Sequence, residues 1–328
     1  MQHEVADRSG PRVAPARSAA GPVQVLLGAA AWGSTGTAAH FAPAGASAVS
    51  VGAARIVLGG ALLLAIALAA RPGRQAVRNL LAAGRAARLW LLLAAVVLAG
   101  YQGCFFTAVR LTGVAIGTVV AIGTAPVFVG VLSRLTGGPL LSRRWLLATA
   151  AAVAGCAVLV TGGQAAGVNT GGVLLALAAG LCYAVYAVVA ARLIGGGQAE
   201  IAVMGLMFGG AAVLLTPVLA ATSPAWLITG RGIAVTGYLG VVTTAGAYLL
   251  YGRGLRTVPV PTAATLGLAE PVVAAVLGLA VLGERLTATA IAGVITVGLA
   301  LAAVTVPAGV IPRMKPGGSR IPPEPQDF

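Results

Sequence analysis

Charge is scarce in this sequence, and acid is scarcer still. Of 328 residues only 9% are charged, with 21 basic side chains against 7 acidic ones. A soluble domain averages roughly 25% charge, so a soluble fold of this length is excluded. Aspartate occurs only as Asp7 and Asp327, near the two ends, and histidine only as His3 and His40. Membrane metalloenzymes need clustered His, Asp or Glu ligands, and lipid transferases that hold Mg²⁺ use paired carboxylates. Neither can be assembled here, so no metal or other cofactor is expected, and a membrane enzyme would have to rely on one buried glutamate. Lysine occurs once, as Lys315, which leaves no GxxxxGK[ST] loop to cradle nucleotide phosphates and excludes an ATP-driven pump. The cysteines Cys104, Cys156 and Cys182 show no CxxC or Cys/His spacing and read as small buried hydrophobes.

What the chain does have is apolar length. It is 59% hydrophobic and contains 47 glycines, a composition that suits helices packed closely through small residues in lipid. Hydropathy and turn residues give ten spans, near 23–42, 48–70, 89–109, 114–134, 145–162, 171–191, 200–221, 232–252, 262–282 and 287–306. Each is long enough for a hydrocarbon core about 30 Å thick. Residues 1–21 and 307–328, rich in Pro, Gly, Arg and Ser, read as disordered tails. The first apolar run continues through WGSTGTAAHF without a cleavage site and reads as a retained span. The fold expected is therefore all-α and integral to the membrane, with lipid as its surroundings.

The formal charge of +14 does not point to nucleic acid, because the arginines are spread through short gaps between spans rather than clustered in one segment. With the N-terminus inside, seventeen of the 21 basic residues fall on the inner side and three, Arg110, Arg231 and Arg285, on the outer. Arg55 is left within a span. This bias places both termini in the cytoplasm of a cell carrying the protein in its plasma membrane.

Shifting the sequence by 145 residues pairs RLTGVAIGTVVAIGTAPVFVGVLSRLTGGPLL with LRTVPVPTAATLGLAEPVVAAVLGLAVLGERL, so that Pro126 meets Pro271 and Gly138 meets Gly283. Two repeats follow, 22–162 and 163–306, each with five spans. An odd number of spans turns the second repeat over in the membrane, the plan of secondary transporters with a midplane site between the halves.

Glu270 is the candidate at the centre of that site. A carboxylate near the middle of a span costs about 2.5–3.5 kcal/mol on insertion scales, and such residues are kept for a path, a relay or a partner. The alternative is a structural hydrogen bond to a neighbouring helix. Pro271 after it frees the carbonyl of Gly267 to face a cavity. Arg55 either snorkels to the outer interface or joins the site. His40 is a gating candidate or an interface residue. Trp32, Tyr101, Gln102, Tyr183, Tyr186 and Tyr248 are candidate cavity residues. Tyr183 and Tyr186, like Tyr248 and Tyr251, are three apart and share a helix face, and Trp32 meets Tyr183 when the first spans of the halves are superposed at an offset of 151. Tyr251 and Trp226 fit an interfacial aromatic belt, and Gly205 and Gly209 fit helix packing. Pro126 and Pro271 would bend their helices at equivalent places.

These motifs resemble the drug/metabolite transporter superfamily, specifically its ten-span proteins with two EamA-type repeats. The resemblance rests on AAAWGSTGTAAHF, VGAARIVLGGALLL with Arg55, YQGCFFTAVRLTGVAIGTVVAIGTAPVF, and the long segment from GYLGVV through LAEPVVAAVLGLAVLGERL, and covers about residues 23–306. Two departures stand out: many relatives carry Lys where this chain has His40, and the first-half turn is Gly138-Pro139 without an acidic residue. The resemblance implies an exporter of small metabolites with a cavity lined by both halves. Taken with Glu270 and Arg55, the expectation is export of an amino acid or related zwitterion by alternating access, with proton coupling through Glu270 or without it, by a monomer or homodimer.

Overall fold

In hydrocarbon every backbone N–H and C=O must find its partner within the protein, so apolar runs of this length become helices. The computed structural model describes residues 19–138, 140–161, 169–283, 285 and 287–305, and among them it has helices and no strands. In chain order the α-helices are α1 (Ala20–Gly33), α2 (Thr35–His40), α3 (Ala48–Ala69), α4 (Arg71–Ala82), α5 (Arg85–Thr112), α6 (Val114–Leu135) and α7 (Arg143–Thr161). After them come α8 (Thr170–Gly195), α9 (Glu200–Ala221), α10 (Gly230–Gly240), α11 (Ala247–Gly254), α12 (Val260–Leu266), α13 (Ala269–Leu282) and α14 (Ala288–Thr305). A π-helical turn, Val241–Gly246, joins α10 to α11 into one rod.

Eight helical segments among the described residues are long and apolar enough to cross a membrane. The other two stretches assigned to spans from sequence are α7 and the pair α1–α2, which is divided at Ser34. The tails expected at 1–21 and 307–328 lie outside the described residues except at 19–21, where the first helix has already begun at Ala20.

The helices pair in a regular scheme. α3 lies along α9 and α7 along α14; α5 packs on α8 and α11 on α1; α6 packs on α8, and α12 and α13 on α1. Small residues allow these approaches, as expected of Gly205 and Gly209: a Cβ on Gly205 would stand 3.1 Å from the Leu63 carbonyl oxygen, and one on Gly209 would stand 2.9 Å from the Leu64 side chain. The left-handed glycine that closes α13 is Gly283 (φ 69°), but its counterpart after α6 is Gly137 (φ 86°) rather than Gly138, one position earlier than the sequence repeat places it.

Two aromatic residues read as belt residues are structural instead. Trp226 is buried against Val51, Ala54, Val235 and Leu239, and its indole N–H donates to the buried Ser50 hydroxyl at 2.8 Å. Trp226→Phe should lower the melting temperature in detergent by a few degrees, since losing a buried hydrogen bond costs about 1–3 kcal/mol. An unchanged melting curve would return Trp226 to the interface.

Candidate functional site

The molecule holds a small cavity drawn from eight helices. Its walls are Trp32 of α1, Arg55 of α3, Tyr101 of α5, Ala121, Ile122 and Ala125 of α6, Tyr183 and Tyr186 of α8, Tyr248 of α11, Ala264 of α12, Gly267 just past the end of α12, and Glu270 in the first turn of α13. Ile122 and Ala125 stand there together with the residues 145 positions later, Gly267 and Glu270, and Trp32 stands there with Tyr183, 151 positions later.

Glu270 owes its position to a break in its span. α12 stops at Leu266, and Gly267 and Leu268 interrupt the rod before α13 begins. Pro271 sits in the first turn of α13, where a missing N–H removes no helical bond. The carbonyl of Gly267, which proline was expected to leave open to the cavity, accepts instead from the Glu270 N–H at 2.9 Å. Gly33 fixes the opposite side: a Cβ there would stand 2.5 Å from the Glu270 carbonyl oxygen and 2.8 Å from Val273 Cβ, so α1 rests directly on the turn that carries the carboxylate. Pro126 differs from Pro271 in lying inside the uninterrupted α6. The two prolines therefore occupy different places in their helices, although each follows a cavity residue.

The aromatic wall is continuous. Trp32 packs on Tyr248 and Tyr251 with ring centres 5.0 and 5.3 Å apart, Tyr183 on Tyr186 at 5.0 Å, and Phe208 on Tyr248 at 4.0 Å. The hydroxyl of Tyr183 donates to that of Tyr251 at 3.5 Å, and those of Tyr186 and Tyr248 lie 3.4 Å apart. Such long contacts leave these hydroxyls able to turn toward another partner. Tyr251, read from sequence as interfacial, is fully buried behind this wall. Its spacing of three from Tyr248 was the signal that it shared the same face.

Arg55 enters the site and does not snorkel away from it. One guanidinium nitrogen donates to the Thr35 hydroxyl at the long distance of 3.4 Å, and its Nε–H is buried without a partner. The Trp32 indole N–H is likewise buried and unpartnered. Arg55 and Glu270 line one cavity but form no ion pair; among the described residues the ion pair observed joins Arg256 to Glu200 at 3.6 Å. Thr35, at the start of α2 just past the Ser34 break, was not foreseen in the sequence, nor was Phe208.

Two candidates lie elsewhere. Gln102 is buried at 5% exposure but does not line the cavity. His40 is exposed and sits edge-on to Phe41 at 5.6 Å, in a separate surface pocket of about 410 Å³ with Arg231. No group of three or more His, Cys, Asp or Glu residues among those described could hold a metal ion.

Comparison with known proteins agrees with this architecture. The model of the EamA-like transporter family matches residues 19–161 and again 170–306. The curated "Uncharacterized transporter YwfM" of Bacillus subtilis (strain 168) is 38% identical over 271 residues, covering 82% of this chain and 88% of the relative. A solved structure titled "Crystal structure of protein" superposes with a TM-score of 0.74 at 22% identity, covering 88% of this chain and 97% of its own, and so shares the fold. With two matches that together span nearly all the described residues, the chain belongs to the EamA-like transporter family.

Proposed function

We propose that this membrane transporter moves an amino acid or a related zwitterion by alternating access, exporting it across the plasma membrane with both termini in the cytoplasm. The observation that carries the reading is an arginine and a glutamate lining one cavity with no direct salt bridge between them. A buried charge is costly unless paired. A solute with a carboxylate for Arg55 and an ammonium for Glu270 supplies both partners at once, and the tyrosine and tryptophan faces attract the ammonium as well.

Alternating access is supported by the size of the cavity. Its free volume is about 40 Å³, room for a few waters at roughly 10–15 Å³ each and too little for an amino acid, so loading the site requires the walls to part. The helix pairings support two inverted five-helix halves and ten spans. Exchanging each span with the one five later converts α5 on α8 into α11 on α1, and α6 on α8 into α12 and α13 on α1, while α3 with α9 and α7 with α14 exchange within themselves. The divided helices at Ser34 and Gly267–Leu268 and the π-turn before Tyr248 are places where a half-helix can tilt without losing internal hydrogen bonding along its length.

Purified protein in sealed proteoliposomes, given labelled amino acids and an imposed pH gradient, tests this. Wild type should move a zwitterion intact and respond to the gradient, and Glu270→Gln should lose both the response and most of the flux. Undiminished transport by Glu270→Gln with unchanged pH dependence would remove Glu270 from the mechanism and leave an uncoupled facilitator. Conversion of the solute instead of its movement would indicate an enzyme.

A further inference from the structure

Away from the central cavity, α6 and α7 enclose a second space that opens sideways between them. It measures about 530 Å³ and is lined by Val127, Val131, Leu141, Trp145, Thr149 and Val153 among others. Val127 and Val131 are half exposed on a helix long and apolar enough to cross the bilayer, which turns this groove toward hydrocarbon. One group in it is not apolar and not satisfied. Trp145 is buried to 9% exposure, and its indole N–H has no hydrogen-bond partner. The ring is held in place: the Trp145 backbone N–H is bonded to the Ser142 hydroxyl at 3.1 Å, and the ring lies where a Cβ on Gly130 would stand 2.8 Å from it. An N–H buried without an acceptor costs about 1–3 kcal/mol, and a bilayer interior has no water to relieve it.

Charge is concentrated at the same end of the groove. Arg134 lies in the last turn of α6 and Arg143 opens α7, and both are exposed. No acidic residue occurs between positions 8 and 199, so nothing in the first half of the chain neutralises them. Arg144 is already committed, donating to the Ala303 carbonyl.

We infer that the α6–α7 groove binds one anionic phospholipid from the leaflet bordered by Arg134 and Arg143. One acyl chain lies along Val127, Val131 and Val153. The phosphate sits between the two guanidinium groups, which bind phosphate through paired N–H donors, and an ester carbonyl accepts from the Trp145 indole. A zwitterionic headgroup brings its own ammonium to the arginines and is disfavoured. The floor of the groove is tied to the transport pathway, because the Thr149 hydroxyl is hydrogen-bonded to that of Thr265 at 2.9 Å, two residues before the Gly267 break.

The test adds phosphatidylglycerol or phosphatidylcholine with identical acyl chains to the full-length protein in detergent and reads thermal unfolding and, by native mass spectrometry, the number of lipids retained. Wild type should gain several degrees more from phosphatidylglycerol and retain one molecule tightly. The R134Q/R143Q variant should lose that preference, W145F should retain the lipid more weakly, and R78Q/R85Q, altered around α4, should behave as wild type. Equal stabilisation by the two lipids, an undiminished preference in R134Q/R143Q, its loss in R78Q/R85Q alone, or a dimer whose stability ignores lipid would each overturn the assignment. If R134Q/R143Q does not fold, W145F decides: unchanged retention of phosphatidylglycerol overturns the site, and weakened retention supports it.

Discussion

Valine in place of Gly60 is expected to leave little or no folded protein in the membrane, while alanine in place of Gly103 should be tolerated. α3 and α9 make the most intimate pairing in the molecule, and Gly60 is where their backbones meet. A Cβ on Gly60 would collide with the carbonyl oxygen of Phe208 and stand 2.8 Å from its carbonyl carbon. The obstacle is main chain within a helix, which cannot move aside as a side chain can. The neighbouring approaches at Gly205 and Gly209 prevent α9 from sliding to relieve it. Overpacking by a methylene in a soluble core costs about 1–3 kcal/mol, and main-chain contacts at Gly60 and Gly205 with the Leu64 side chain packed on Gly209 beside them raise this toward the 5–15 kcal/mol that holds a typical protein folded. The displacement also reaches the site, since Phe208 packs on Tyr248. Gly103 has nothing within 4 Å of its would-be Cβ, so its alanine variant controls for helix propensity. Size-exclusion profiles and melting curves of the two variants check the expectation; a monodisperse Gly60→Val protein that melts like wild type would mean α3 and α9 do not pack as described.

The sequence conveyed the long helices well because hydropathy in lipid is close to a binary signal: each of the eight segments long and apolar enough to cross a membrane begins and ends within four residues of an edge read from sequence. It conveyed α4 poorly. Arg71, Arg74 and Arg78 read as a charged gap between spans, yet Val77 and Leu80 are buried on the opposite face, and Arg74 donates to the Leu68 and Ala69 carbonyls to close the end of α3. A short amphipathic helix at an interface carries too few apolar residues to register as a span. The breaks at Ser34 and Gly267–Leu268 and the π-turn were not legible either, because interruption of a helix is decided by what packs against it, such as Gly33 on the Glu270 turn.

For the site, Trp32, Arg55, Tyr101, Tyr183, Tyr186, Tyr248 and Glu270 do converge. Polar and aromatic residues are so rare in this chain that each one in a span is informative. Gln102 did not follow: Tyr101 faces the cavity, whereas Gln102, turned about 100° from it on the same helix, is buried away from it. His40 did not follow either: at the end of α2 it is exposed beside Phe41, outside the cavity. The long distance to Thr35 and the unpartnered Nε of Arg55 could not be read from sequence at all, and they turn Arg55 from a snorkelling candidate into a binding one.

Arg55→Gln should therefore cut zwitterion transport about 100-fold with the fold intact. Arg55 makes few direct contacts of its own: one hydrogen bond of 3.4 Å to Thr35 and no salt bridge. In the proposed reading its guanidinium holds the solute carboxylate, and a hydrogen bond to a charged group is worth about 1.5–3 kcal/mol, the upper end corresponding to about 100-fold at 1.4 kcal/mol per decade. Lysine keeps the charge but not the planar pair of donors, so Arg55→Lys should recover part of the loss. Solute chemistry then separates binding from structure. An amino acid presents both charges, its N-acetylated form only the carboxylate, and the matching primary amine only the ammonium. Arg55→Gln should impair the first two and spare the amine; Glu270→Gln should impair the first and the amine and spare the N-acetylated form. Competition by the three solutes against labelled amino acid flux in proteoliposomes reads this pattern. If Arg55→Gln weakens all three alike, Arg55 acts through the shape of the cavity, and the carboxylate must be held by other donors, of which the unpartnered Trp32 indole N–H is the first to examine.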